Sequence, residues 1–220
     1  MVCYRITGSS LKIPIGKVIC LARTYQKHAQ EMDAETTKDP LLFLKPESSV
    51  IFDRQSIIIP RMSTCLHHEV EMGIVIGKEG KNIPKGEAMN HIFGYVVALD
   101  ITARDLQSIA KQQGWPWSIA KGFDTFAPIS DVVLKETISD PDSLDLELKI
   151  NHKLKQQSNT RLMIYSVKDI IHFISRIMTL KRGDLILTGT PEGVGEIIEG
   201  DILEAKLGSF CSLTVTVKKE

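Results

Sequence analysis

Two carboxylates, Glu69 and Glu71, stand two positions apart in the run HHEVEMGIVIG, and a third, Asp100, closes a second apolar run, FGYVVALD. Side chains alternate along a strand, so Glu69 and Glu71 share one face while Val70, Met72, Ile74 and Ile76 share the other. Neighbouring carboxylates repel one another and carry a desolvation cost on burial; a divalent cation relieves both. Carboxylate ligands suit a hard cation, Mg²⁺ or Mn²⁺, better than zinc, which usually takes His or Cys. The same alternation also describes the solvated side of a half-exposed antiparallel strand, and the fragment alone leaves both readings open.

Other residues could do chemistry beside such a centre. His28 and Glu31 are three apart on a short polar helix, roughly Tyr25 to Met32, and can meet on one face. A carboxylate that fixes the tautomer of a His makes a general base near neutral pH, although a surface ion pair has the same spacing. A helix this short needs packing or a ligand to hold it, a property suited to a lid. Of His67 and His68, only His67 shares the face of Glu69, as an outer partner of the carboxylates; His91, His152 and His172 read as surface or structural. Arg104 and Gln107 follow Asp100 within one or two helical turns, and Lys111 continues their face. Arg is the fork for a substrate carboxylate, and Lys121 could steady an enolate or oxyanion. The run LTGTPEGVG lacks the GK[ST] of a P-loop and does not match GxGxxG. Gly189, Gly193 and Gly195 suit a tight turn; the sharper reading has Thr190 and nearby amides receive a carboxylate.

These groups must be held by strands. KVICLA, LLFLKP, SIIIP, VEMGIVIG, FGYVVALD, LELKINHK, DLILTGTP, DILEAKL and SLTVTVK are apolar runs of strand length punctuated by Gly and Pro. There is no regular βαβ alternation, so the expected fold is mostly β with a few helices rather than a doubly wound parallel sheet. Residues 1–50 read as a small N-terminal subdomain with a lid helix and a polar loop from Asp33 to Pro40; 51–220 read as the catalytic domain. Two longer helices are expected. Thr102 to Gln113 opens with Thr102 and Asp105 at capping-box spacing and carries the stripe Ala103, Leu106, Ile109 and Ala110. Ser166 to Leu180 opens with Ser166 and Asp169 and carries Ile170, Ile171, Ile174, Ile177 and Met178 toward the core.

The 27 basic and 27 acidic residues of the 220 cancel, which argues against nucleic acid or an anionic membrane surface as main partner. No apolar run reaches a membrane span, and the opening MVCYRITGSSLK lacks the apolar core of a secretory signal. Cys3, Cys20, Cys65 and Cys211 lie far apart with no CxxC spacing, the pattern of free thiols in a reducing cytoplasm.

RTYxxHxxEM from Arg23 to Met32, LLFLKP, HHEVEMGIVIG, GYVVALDITARDLQ, AKGFDTFAPI and LTGTPEGVG occur in order across almost the whole chain. Together they closely resemble the fumarylacetoacetate hydrolase family, in particular its small single-domain branch of acylpyruvate hydrolases that also decarboxylate oxaloacetate. The resemblance implies a mixed β-roll with a smaller N-terminal part, usually as a homodimer. It implies Mg²⁺ or Mn²⁺ on Glu69, Glu71 and Asp100, and a water-activating pair, His28 and Glu31, on a lid. It also implies Lys121 as a catalytic group, and substrate contacts from Arg23, Tyr25, Arg104, Gln107, Gly189 and Thr190. The family often has Gly-Arg-Asn-Tyr where this chain has Ala22, Arg23, Thr24 and Tyr25, a departure that bears on how the lid base packs and on substrate preference.

The expected activity is hydrolytic C–C cleavage of a 3-acylpyruvate, of the acetylpyruvate or fumarylpyruvate type, to pyruvate and a carboxylic acid. Oxaloacetate would lose CO₂ through the same enolate. Two other readings use the same residues: a 2-hydroxyhepta-2,4-diene-1,7-dioate isomerase or related dienoate hydratase, and a non-catalytic binder of a small dicarboxylate such as oxalate. The binder would need the three carboxylates but not the His28–Glu31 base.

Overall fold

The computed structural model describes residues 2–32 and 39–220. Most of the loop expected over 33–40 therefore lies outside the described residues. The larger sheet contains β1 (Val18–Ala22), β2 (Leu41–Lys45), β3 (Val50–Phe52), β6 (Val70–Ile76), β7 (Ile92–Leu99), β9 (Ala127–Ile129), β10 (Val133–Leu134) and β13 (Leu185–Leu187). Its order is β2-β1-β13-β6-β7-β9-β3, with β10 on β7. A second sheet runs β12 (Lys153–Asn159), β11 (Asp145–Ile150), β15 (Ile202–Leu207), β16 (Cys211–Lys219) and β4 (Ser56–Ile59). A small third sheet holds β14 (Gly195–Ile197), β5 (Leu66–His68) and β8 (Thr102–Ala103). The helices are α1 (Gln26–Glu31), α2 (Arg104–Gln113), α3 (Ser118–Lys121) and α4 (Val167–Ile177). The chain is thus mostly β with a few helices, and β1 and β2, from the first fifty residues, lie in the same sheet as β6 and β7.

The larger sheet is covered on both faces, which is why its strands read as unbroken apolar runs. Ile19, Leu21, Met72, Ile74, Val97 and Leu99 pack into one cluster with the second sheet and α4. Val18, Cys20, Val75, Val96, Ala98 and Leu185 pack into another with the N-terminal segment. Close approach within the sheet demands a glycine: a Cβ at Gly73 would sit 2.5 Å from Val96 Cγ2.

Three expectations need correction. The run through Glu69 is not one strand. It breaks there, β5 pairing in the third sheet and β6 in the larger one, so Glu69 sits at the seam. The helix expected from Thr102 starts at Arg104, after β8, and Ala103 caps it without a side-chain bond. Tertiary partners have claimed both halves of the supposed capping box. Thr102 Oγ1 donates to Glu69 Oε1 (3.2 Å), while Asp105 accepts from Ser63 Oγ (2.7 Å) and the Thr64 amide (2.8 Å). The stripe also differs, for Gln107 is buried while Ile109 is 49% exposed. The helix from Ser166 has the expected box but stops at Ile177, which is exposed, because Met178 turns extended and Leu180 exchanges backbone hydrogen bonds with Gly80.

Candidate active site

The β6–β7 register brings the carboxylates together. Val70 lies opposite Leu99 and Glu71 opposite Ala98, and the Asp100 amide donates to the Glu69 carbonyl at 2.8 Å. By alternation Asp100 shares the face of Ala98 and Glu69 that of Glu71, so all three point into one space. Each offers an oxygen within 4.8 Å of the others. All three are buried, Glu71 at 1% exposure, so this is not the solvated face of a sheet.

Cations surround the cluster. Lys121, at the end of α3, donates to Glu69 Oε2 (2.9 Å) and Asp100 Oδ2 (2.6 Å). Arg104, the first residue of α2, donates to Glu69 Oε1 (2.5 Å), Gln107 Oε1 (2.6 Å) and, through Nε, His67 Nδ1 (3.3 Å). Burial pushes His67 down to about 4, with Arg104 adding to it, so the ring is neutral and can accept that bond. Lys45, at the end of β2, gives its protons to the carbonyls of Ile101 (2.9 Å) and Lys121 (2.6 Å). It stands 2.7 Å from Asp100 Oδ1 as an ion pair, but among the described residues that oxygen receives no hydrogen bond.

Both glutamates are buried, and they differ in charge neighbours. Burial acts to raise Glu69, but Lys121 and Arg104 hold it well below the usual carboxylate range. Burial raises Glu71 well above that range, and Asp100 and Glu69 raise it further; the Gly189 amide, donating at 2.6 Å, only partly offsets them. Burial likewise acts against the Lys121 charge, yet Asp100 and Glu69 hold its pKa above the ordinary lysine value. A buried Asp100 oxygen without a hydrogen bond, and a Glu71 destabilised as an anion, are what a hard divalent cation would satisfy. The donor set fits Mg²⁺ or Mn²⁺.

His28 and Glu31 meet as their spacing suggests, Nδ1 to Oε2 at 3.2 Å. The Gly193 amide donates to both Glu31 oxygens (3.1 and 3.2 Å), tying α1 to the glycine-rich turn. His28 lines the same cavity as Glu69, Glu71, Arg104, Gln107 and Lys121; the cavity encloses about 450 Å³ including its mouth. Arg23 and Thr190 also line it. Arg23 has φ +60°, a left-handed conformation uncommon outside glycine. The Thr190 hydroxyl donates to the Val70 carbonyl and accepts from Gln156 Nε2, both at 2.9 Å, so its proton is already committed. Gly189 has φ +92°, and a Cβ there would fall 1.9 Å from Thr24 Oγ1. Thr24 in turn donates to the Thr188 carbonyl (2.7 Å), fastening the segment Ala22, Arg23, Thr24 and Tyr25 to this turn. Tyr25 is 1% exposed at the start of α1; among the described residues its hydroxyl has no hydrogen-bond partner and the ring is not part of the cavity wall.

His68 points away from the carboxylates, as alternation requires, and donates to Gln156 Oε1 (3.0 Å). His91 and His172 bond the carbonyls of Lys78 and Ile83, and exposed His152 pairs with Glu204. Lys45, Phe43, Trp117 and Gln156 escaped sequence reasoning. A lysine ending the apolar run LLFLKP was a usable signal for Lys45; KLKQQSN held none for Gln156, which joins β5 and β6 to Thr190 and Pro191.

The chain is similar to known proteins along most of its length. The family model described as fumarylacetoacetate (FAA) hydrolase C-terminal matches residues 17–218. The chain is 44% identical to oxaloacetate tautomerase FAHD1, mitochondrial, of Mus musculus over 202 residues, covering 92% of this chain and 91% of that protein. It is 46% identical to oxaloacetate decarboxylase, mitochondrial, of Dictyostelium discoideum, covering 86% and 87%. Among solved structures, fumarylpyruvate hydrolase from Pseudomonas aeruginosa in complex with Mn²⁺ and pyruvate superposes with a TM-score of 0.96 at 34% identity, covering 100% of this chain and 96% of that one.

Proposed function

This chain belongs to the fumarylacetoacetate hydrolase family, and from that premise we propose that it is a metal-dependent enzyme acting on small 2-oxo acids through an enolate. Its leading activity in this reading is cleavage of 3-acylpyruvates to pyruvate and a carboxylic acid, with decarboxylation of oxaloacetate at the same centre. The observation that carries it is one cavity lined by a carboxylate-anchored His28 and by Glu69, Glu71 and Lys121, with Asp100 buried against the two glutamates and Lys121.

Mg²⁺ or Mn²⁺ held by Glu69, Glu71 and Asp100 would act as a Lewis acid toward the 2-oxo carbonyl. His28, its tautomer set by Glu31, takes a proton from water, and the hydroxide adds to the distal acyl carbonyl. The C–C bond then breaks, leaving its electron pair on C3 of a pyruvate enolate. Lys121, held protonated, faces that charge. The imidazolium of His28 returns the proton to C3. Arg104 and Gln107, with the backbone around Gly189 and Thr190, hold the carboxylate end, while Arg23 and Tyr25 shape the lid base. In this reading α1, within residues 1–50, is the lid over the catalytic part, 51–220.

A second reading, keto–enol tautomerisation of oxaloacetate, is favoured by the names of relatives matched over nine-tenths of the chain. It needs only the proton shuttle. We also propose a homodimer, supported by Ile109, Trp115 and Ile119, 49, 59 and 62% exposed around one apolar hollow of α2 and α3. Four unpaired cysteines suit a reducing compartment, here the cytoplasm.

The test is pyruvate release from acetylpyruvate and from oxaloacetate with Mg²⁺ and then excess chelator, with the enol absorbance of oxaloacetate followed in parallel. Chelator-sensitive release from acetylpyruvate is expected. His28→Ala should lower hydrolysis by about 10²–10⁴-fold, the usual worth of a general base, and decarboxylation far less, since CO₂ loss needs no water. Equal loss of both would remove His28 from water activation. Loss of enol absorbance without pyruvate would leave the tautomerase.

A further inference from the structure

Gln156 is buried in β12, the end strand of the second sheet, whose other residues are exposed or half-buried. Leu154 and Gln156 are two apart and would share a face in a regular strand, yet Leu154 is exposed. The cause is a bulge. Gln156 lies opposite Leu148 and Leu154 opposite Lys149, so Lys155 is an extra residue on the β12 side. Residues opposite one another point to the same face. The bulge therefore turns Gln156 to the core side with Leu148 and leaves Leu154 outside.

Both ends of the buried amide are used in full. Oε1 accepts from the Val70 amide and from His68 Nδ1, each at 3.0 Å. Nε2 donates to Thr190 Oγ1 (2.9 Å), to the Pro191 carbonyl (3.0 Å) and, at longer range, to the Glu192 carbonyl (3.4 Å). The Val70 amide can only donate and the Pro191 carbonyl can only accept, which fixes this orientation of the side chain. A ring closes through Val70, whose carbonyl accepts from Thr190 Oγ1. Val70 separates Glu69 from Glu71, so Gln156 pins the turn after β13 to the strand seam between the two glutamates.

The same turn carries the anchor of the base. Gly193, at φ +93°, leans on the bulge, where a Cβ would fall 2.5 Å from the Lys155 carbonyl oxygen. Its amide donates to both Glu31 oxygens, and Glu31 orients His28. Seam, Gln156, turn, Glu31 and His28 form one run of contacts.

We propose that Gln156 is a positioning residue that sets where the His28–Glu31 pair stands relative to the carboxylate centre, acting through the turn at Gly193. This deepens the water-activation role given to His28 above, and only its kinetic readout rests on that reading.

Gln156→Met keeps the reach of the side chain and removes both ends of the amide. In ¹⁵N-glycine-labelled protein the Gly193 amide resonance reads the bond to Glu31, and Glu31→Ala, which removes the acceptor, marks it. Gln156→Met is expected to move that resonance in the same direction while Gly73 in β6 keeps its place. An unmoved Gly193 resonance overturns the proposal whatever the substrate. Gln156→Met should also lower acetylpyruvate hydrolysis about 10²-fold, the cost of a misplacement of about 1 Å, and oxaloacetate decarboxylation far less. The double variant with Glu31→Ala should lose no more hydrolysis than Glu31→Ala alone. Additive losses, or equal loss of both activities, overturn the proposal, because a glutamine that only supported the fold would give them. A wild-type protein without acetylpyruvate hydrolysis overturns the water-activation reading instead, and the Gly193 resonance then decides the proposal alone.

Discussion

Helices α2 and α4 are of similar length and do opposite work. α4 buries Ile170, Ile171 and Ile174 against the sheets and is capped by its own sequence, Ser166 Oγ accepting from the Asp169 amide and Asp169 accepting from the Ser166 amide. α2 buries Gln107 beneath Arg104, leaves Ile109 outside, and has no side-chain cap. Its first turn is held by Ser63 and Thr64 on Asp105, and by Glu69 and His67 on Arg104. An element that stabilises a fold buries apolar area and can be capped locally. An element that serves a site spends its buried face on polar groups, and other parts of the chain must hold it in place.

The contrast predicts that damage to the two helices will separate activity from stability. Arg104→Lys keeps a charge beside Glu69 but loses the fork shared with Gln107 and His67. The expected loss is about 10²–10³-fold in kcat/KM, the scale of one removed electrostatic donor, with little change in thermal midpoint. Ile171→Ala should do the reverse, costing about 2–5 kcal/mol in stability, some 4–20 °C in midpoint for a chain of this size, while kcat/KM per folded molecule is kept. If Ile171→Ala lost activity in proportion without unfolding, the division of labour would be wrong. Ser166→Ala removes a local cap and should cost about 1 kcal/mol by denaturant titration.

The smallest effect is a pH dependence. Asp169 sits at the start of α4, where burial acts to raise its carboxyl, but Lys85 and Ser166 hold it below the usual value. A depressed carboxylate contributes stability above its unfolded pKa of 3.8 and loses it as pH falls through the folded value. Asp169→Asn should therefore flatten a small part of the stability loss below that pH, and screening by salt should shrink it further.

The same contrast separates what was legible in the chain from what was not. α4 could be read because its capping box and isoleucine stripe are local, and only its last turn was lost, to a backbone bridge with Gly80. The start of α2 was misread because Thr102 and Asp105 have the spacing of a box, yet partners distant in sequence hold both side chains. The His28–Glu31 pair lies within one helical turn, and the structure keeps it. Lys45 and Gln156 reach the site across pairings that no short window contains.

By itself the sequence determined the mostly β class, the faces of the strand runs, the local pairs and the family. Those follow from periodicities of two and 3.6 and from motif order, which are properties of neighbouring residues. Only the tertiary structure decided that Asp100 lies across the β6–β7 register from Glu69, that Lys121 and Lys45 close over them, and that Glu69 and Glu71, both buried, are pushed in opposite directions. Strand register and charge burial depend on residues far apart in the chain, and a carboxylate takes its character from whichever cation the fold sets beside it.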